Sequence, residues 1–453
     1  MAGGTTRCLK VSDTQPATAT ITSALIAKGG YDSWRPRVTP DALAIVGVSI
    51  GVRRLAVMYT NRLVGMDDFC DSLVRFGASS ASARLRPRAA PRRSCAPDAA
   101  AQEPCLPCRS AADVALVASN GGGRRTIALV DVRCVACLIR AGRPFMIGRT
   151  SMGSEVDAAC FAGIHRPAVG SSAVRAQFNK RLRSTLSTNA GVRTADAEDA
   201  YAYGRCFAAA VNVSDVMMRW QELPKLRPPL DSCNSAGKTY QKTDALLWSS
   251  GHWPCFLVGT RALQPWLEPP TSVREQPNRT HWRHSANDTW TTALAGRTVL
   301  VVHPFNTTIR RQLARGSAAI WGDDAPLIWP AGMRLKFVRP PVNLAGESED
   351  TDWRGSLRRL AELVDGAGHF DVALISCGGL GMLLAAHLRM TNRSAVYTGG
   401  ALQMWFGILG KRWYDESKHK AHLRRFVSHP NWTRPDVADK PRGAARVEAG
   451  TYW

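Results

Sequence analysis

From Thr298 onward the chain repeats one pattern: a short apolar run, a turn, then a stretch with helical spacing. Thr298-Val-Leu-Val-Val-His-Pro-Phe305 reads as a strand buried on both faces, and 307–318 as a helix. Arg334-Leu-Lys-Phe-Val338 is a second strand. The next segment, 352–364, is an amphipathic helix with Trp353, Leu357, Leu360 and Leu363 on one stripe. A third strand, Phe370-Asp-Val-Ala-Leu-Ile-Ser376, runs into Gly378-Gly-Leu-Gly381 and a helix over 382–390. Ala395-Val-Tyr-Thr398 is a fourth strand, after which Gly399-Gly400 opens another helix. Strands that alternate with helices in this way imply a parallel sheet with right-handed crossovers. The expected fold class is therefore α/β, a Rossmann-like, mostly parallel sheet flanked by helices, with a poorly ordered N-terminal extension.

Upstream the pattern is thinner. Apolar spacing over 130–139 and 153–162 and an Ala-rich run over 196–213 read as helices, and 144–148 and 256–258 as strands. Residues 72–110 have the composition of a linker, and Asn120-Gly-Gly-Gly-Arg-Arg125 that of a break. The expected division is an extension over 1–125 and one α/β domain over 126–453. That domain divides into an N-terminal half (126–297), a Rossmann-like half (298–413) and a C-terminal tail (414–453). A net charge of +23 would suggest a nucleic-acid partner if it were clustered. It is scattered instead. Even the densest stretch, seven arginines from Arg75 to Arg109 against Asp98 and Glu103, reads first as a solvated basic linker, so no specific nucleic-acid partner is expected.

Cys105-x-x-Cys108 and Cys134-x-x-Cys137 have the form of a zinc ribbon, but the gap between the pairs is too long. The plainer reading is unpaired cysteines, with Cys134 and Cys137 on a buried apolar stretch. No apolar run is long enough to span a membrane. The N-terminus lacks the form of a signal peptide, and its Thr, Ser and Ala only weakly signal an organellar transit segment. The cytoplasm is the default expectation, and the six N-x-S/T sequons at Asn212, Asn278, Asn287, Asn306, Asn392 and Asn431 then read as chance.

Ligands of open parallel sheets sit at the carboxyl ends of the strands, and four groups of residues fall there. Gly378, Gly379 and Gly381 would let backbone approach a phosphate at a helix N-terminus, or would merely permit a tight turn. The loop lacks the G-x-G-x-x-G spacing of a dinucleotide site. His303 could bond a phosphate, act as a base, or be structural. Gly399 and Gly400 are followed by Gln403 and by Lys411 and Arg412, which could close over a diphosphate or simply serve their helix. Arg149 and Glu155 flank a strand–helix turn and can point into one cleft.

Together these motifs resemble a known group. Val299-Leu-Val-Val-His-Pro-Phe305, Gly399-Gly-Ala-Leu-Gln403, Phe406-Gly-Ile-Leu-Gly-Lys-Arg-Trp413 and Val447-Glu-Ala-Gly-Thr-Tyr-Trp453 recur in that order in largely uncharacterised relatives of GT-D-fold glycosyltransferases. So does Pro144-Phe-Met-Ile-Gly-Arg149 with Gly153-Ser-Glu155. The resemblance runs from about residue 138 to the end and implies a nucleotide-sugar donor, foremost a UDP-sugar, and a glycan or other acceptor. It also implies an acidic D-x-E that helps hold a metal, Mn or Mg, with the donor diphosphate. Here those positions read Gly153-Ser154-Glu155, so Glu155 is present and the aspartate is not. On this reading Glu155, Arg149 and His303 are the catalytic candidates, and Glu155 is the metal candidate. The glycines with Gln403, Lys411 and Arg412 hold the donor. A non-catalytic nucleotide- or glycan-binding protein is the alternative, and a nicotinamide-dependent oxidoreductase is further off.

Overall fold

The structure is a computed structural model. It describes residues 44–49, 54–59, 69–73, 115–120, 123–130, 132–150, 153–163, 172–219, 255–258, 263–267, 282–341, 343–347 and 350–453. The linker expected over 72–110, the pair Cys105 and Cys108, and Asn278 lie outside or almost wholly outside these residues. The chain divides into two units, 1–60 and 61–453. In the first, β1 (Ala44–Ser49) and β2 (Arg54–Tyr59) pair antiparallel, with Ala44 opposite Tyr59.

The second unit is built on a nine-stranded sheet. Its strands are β3 (Ala115–Asn120), β4 (Gly123–Val130), β5 (Met146–Arg149), β6 (Val216–Arg219), β7 (Cys255–Val258), β8 (Thr298–Val302), β9 (Arg334–Val338), β10 (Val372–Ile375) and β11 (Ala395–Tyr397). They lie side by side as β3-β4-β7-β6-β5-β11-β10-β8-β9. Every neighbouring pair is parallel except β3 with β4, a hairpin in which Asn120 pairs with Gly123. The fold is thus α/β with a mostly parallel, Rossmann-like sheet. β5, β8, β10 and β11 are buried almost throughout, as their unbroken apolar runs require of strands covered on both faces.

Among the described residues, the longer helices are α1 (Val132–Ala141), α2 (Ser154–Gly163), α3 (Ser172–Thr185), α4 (Ala197–Val213), α5 (Asn306–Arg315), α6 (Trp353–Gly366) and α7 (Leu380–Met390). Aspartates set two of their starts: Asp196 accepts from the Asp199 N–H at 2.8 Å, and Asp352 from the Gly355 N–H at 2.8 Å. The helix expected over 307–318 stops at Arg315, because Gly316 takes φ +84° and turns the chain. On α6, Trp353, Leu357 and Leu360 are buried as expected, but Leu363 is 45% exposed and Val364 takes its place. Ten residues at 100° each leave Leu363 about 80° off the stripe through Trp353, whereas Val364 returns to it.

Two contacts bind the layers. α2 and α4 cross at Gly204, where an added Cβ would lie 2.2 Å from the Ala158 carbonyl oxygen. The C-terminal tail returns over the sheet through buried aromatics. Phe426 stacks on Trp432 at 4.4 Å between ring centres, and Trp453 sits 6.0 Å from Phe305. The tail helices are α8 (Lys411–Glu416) and α9 (Ala421–Val427). Strand order fixes the place of the site. The chain leaves β8 for β9 on one side and then returns to β10 and β11 on the other, so a crevice opens between the carboxyl ends of β8 and β10.

Candidate functional site

A cavity of about 810 Å³ occupies that crevice. Because the strands are parallel, the residues at and beyond their carboxyl ends meet at one edge: Arg149 at the end of β5, Tyr397 and Gly399 at β11, Ser376 to Gly378 after β10, His303 after β8 and Arg339 after β9. The tail supplies the facing wall with Asp439, Lys440, Arg442, Glu448 and Tyr452. Of the residues singled out from sequence, Arg149, Glu155, His303, Gly378, Gly399, Gly400, Gln403 and Arg412 line the cavity, whereas Gly379, Gly381 and Lys411 do not.

The glycine loop is held by backbone contacts on its far side. The Gly379 N–H donates to the Ala190 carbonyl at 2.7 Å. The Tyr203 hydroxyl donates to the Gly379 carbonyl, and the Tyr397 hydroxyl to the Gly378 carbonyl, each at 2.8 Å. Gly378 has φ +65°, and a Cβ on it would lie 2.5 Å from the Ala190 oxygen. A Cβ on Gly381 would lie 2.4 Å from the Tyr397 ring. These glycines admit neighbouring protein atoms, and only Gly378 also faces the cavity. Burial pushes both tyrosine hydroxyls well above their ordinary range, so they remain protonated donors.

Arg149 lies flat against Gly399, which has φ +67° and no room for a Cβ. Its Nη1 donates to the Thr398 carbonyl at 2.9 Å, and its guanidinium sits 5.6 Å from the Tyr397 ring centre. Glu155, buried on the first turn of α2, accepts from the Ser154 hydroxyl at 3.2 Å. The Gln403 amide donates to the carbonyls of Ile408 and Tyr452, each at 3.2 Å, so it fastens the tail to the sheet. Lys411 pairs with Asp415 at 2.5 Å outside the cavity, and Arg412 pairs with Glu448 at 2.5 Å on its rim.

His303 is 3% exposed. Its Nδ1 accepts the Phe305 N–H at 3.0 Å, so the Nδ1 lone pair is occupied and a neutral ring carries its proton on Nε2. That Nε2 is buried and has no hydrogen-bond partner. Burial lowers the imidazole to about 3, so the ring is uncharged at neutral pH. The side chain can therefore donate a hydrogen bond to a ligand, but it has neither the lone pair nor the basicity of a general base.

The charges around the cavity divide unevenly. Asp439 accepts from the Thr307 N–H, the Thr308 N–H and the Thr308 hydroxyl at 2.6 to 3.1 Å, which closes the N-terminus of α5. Glu347 accepts from the Gly443 N–H at 2.7 Å, and Glu416 pairs with Lys420 at 2.6 Å. The side chains of Arg339, Lys440 and Arg442 make no ion pair or hydrogen bond among the described residues. The cavity thus combines three unmatched cations with one buried neutral donor. No group of three His, Cys, Asp or Glu side chains able to hold a metal occurs among the described residues.

No protein-family profile, no curated protein and no solved structure matches this chain.

The tail residues and Arg339 were not visible as site residues in the sequence. Lys440 and Arg442 stand in a polar stretch with no motif spacing, and only the return of the tail over the sheet brings them to β8 and β9. The cysteine reading changes as well. Cys134 and Cys137 are both held in disulfides, so they are neither zinc ligands nor unpaired thiols.

Proposed function

We propose that the chain binds a nucleotide-sugar and transfers its sugar to an acceptor. The observation that carries this reading is the unpartnered His303 Nε2–H in one cavity with Arg339, Lys440 and Arg442, at the switch point of a parallel sheet. A diphosphate suits that end, since three cations offset its charge and a neutral donor bonds one of its oxygens without itself titrating. As the sugar–oxygen bond breaks, negative charge builds on the leaving diphosphate, and fixed donors and cations stabilise it more strongly there than water would. Arg149 ends β5 and Glu155 follows it, three strand spacings or about 14 Å from β8. The sugar is assigned to that end, with Glu155 accepting bonds from its hydroxyls. The resemblance to GT-D-fold glycosyltransferases points to a nucleotide-sugar donor, foremost a UDP-sugar, but would put the diphosphate beside Glu155; the division of the cavity into a diphosphate end and a sugar end rests on the cations alone. The described side chains do not fit a protein-held metal, because Gly153 stands where a second carboxylate would be needed and Glu155 is left as a single ligand. The leaving-group charge is therefore assigned to the side-chain cations.

Thermal-shift and calorimetric titration with UDP, UDP-sugars and NAD, with and without Mn²⁺, tests this reading. The expected result is stabilisation by UDP and a UDP-sugar without metal. The triple variant Arg339→Gln, Lys440→Gln, Arg442→Gln should bind about tenfold or more weakly, with less salt dependence. Stabilisation by NAD alone, or binding only with Mn²⁺, would overturn it. The non-catalytic reading draws support from Arg149 and Gln403, whose donors hold backbone carbonyls. It prevails if a UDP-sugar binds and is neither hydrolysed nor transferred.

A further inference from the structure

The sequons and the cysteines point to one compartment. Six of the twelve asparagines stand in N-x-S/T, while Ser and Thr together make up 60 of 453 residues, so chance would place only about one or two there. Five of the six fall on described residues, and they differ in access. Asn212 is half-buried in α4 with its Oδ1 shut from solvent. Asn306 accepts from Arg310 Nε at 3.1 Å, and Asn431 donates to the Ala319 carbonyl at 2.8 Å. Asn287 and Asn392 are exposed and lie in turns, and neither side-chain amide makes a hydrogen bond among the described residues. Asn392, at φ +57°, sits between the end of α7 and the start of β11, at the edge of the sheet opposite the cavity.

The cysteines are a second, independent observation. Cys70 and Cys206 are joined, and Cys134, Cys137 and Cys160 are also held in disulfides. Cys377 is free. Disulfides at this density form and persist in oxidising compartments and are removed in a reducing cytosol. Such a lumen is also where asparagine sequons meet their glycan-transferring machinery.

We infer that the chain matures in an oxidising lumen and carries N-linked glycans on Asn287 and Asn392. The reading of the sequons as chance, and of the cytoplasm as the default, gives way to this. Glycans on the turn at Asn392 leave the cavity mouth open. The test uses the full chain isolated from the cells that make it. Peptide-N-glycosidase in heavy-oxygen water should shift its mobility in two steps and convert Asn287 and Asn392 to labelled aspartate. Asn287→Gln and Asn392→Gln should each remove one step. Alkylation at lysis, before reduction, should leave Cys70 and Cys206 unmodified. An unconverted Asn287 or Asn392 overturns the assignment of that site, whichever other sequon is converted. Alkylation of Cys70 and Cys206 as thiols overturns the compartment. Neither readout depends on what the cavity binds.

Discussion

His303 sits between two contacts that fix its chemistry. The Phe305 N–H occupies Nδ1, and the surrounding core keeps the ring neutral, so the buried Nε2–H is the one polar group left on a side chain that lines the cavity. A donor bond to a charged phosphate oxygen is worth about 1.5–3 kcal/mol. His303→Phe removes the donor and should weaken UDP-sugar binding by roughly 10- to 100-fold; it also takes the acceptor from the buried Phe305 N–H, so a stability loss of about 1–3 kcal/mol should accompany it. Calorimetric titration of the variant checks this, and an unchanged affinity would remove His303 from the site. An imidazole titrating at its ordinary 6.5 would gain charge on mild acidification and tighten its hold on a diphosphate diester. With the ring lowered to about 3, affinity for a UDP-sugar should stay flat from about pH 8 to pH 5.5.

At the scale of elements, glycine positions decide packing against propensity. Alanine is favoured over glycine by about 1 kcal/mol inside a helix. Gly204→Ala should nevertheless destabilise, because the new Cβ would lie 2.2 Å from the Ala158 carbonyl oxygen and force α2 and α4 apart. Overpacking of this kind costs typically 1–3 kcal/mol, and at a backbone contact the upper end is expected. A urea denaturation midpoint that rose would contradict the close crossing. The same distinction marks what the sequence makes legible. β8, β9, β10 and β11 and the helices between them announce themselves by period and by caps such as Asp352, since those signals are local. The partners of glycines are not local. Gly378, Gly379 and Gly381 look alike in sequence, yet one faces the cavity and the others face Tyr203, Val192 and Tyr397, which come from α4, the turn before it and β11. For the same reason Lys411, beside Arg412 in sequence, points to Asp415 instead of a ligand.

At the scale of the whole molecule, two devices set stability. The Cys70–Cys206 bond closes a loop across 136 residues, and the chain-entropy treatment gives a loop of that length about 5 kcal/mol. Paired Cys70→Ala and Cys206→Ala substitution should lower the unfolding free energy by about 2–5 kcal/mol, read from denaturant titrations in which the slope, expected to rise as the unfolded chain expands, is fitted for each protein. The second device is acid lability. His303 and His387 are both buried and lowered to about 3, in the second case with Arg393 adding to the effect of burial. Between pH 6.5 and about 3 the unfolded chain binds protons at these two residues that the native chain refuses. Stability attached to the neutral rings is complete above 6.5 and is lost as pH falls toward 3. Two such protons give a slope of at most about 2.7 kcal/mol per pH unit. Asp365 works in the opposite sense, since burial raises its carboxyl and the native state takes up its proton first, but the Arg393 guanidinium 2.6 Å away limits that shift. The histidines should therefore dominate. With an ordinary net stability of about 5–15 kcal/mol, cooperative unfolding is expected within a few pH units below 6.5. Urea titrations at about pH 7, 5.5 and 4.5 should show this fall, and His387→Gln should roughly halve its steepness whatever it does to stability at neutral pH. An acid slope unchanged by that substitution would mean that the ring at 387 takes up its proton in the native state.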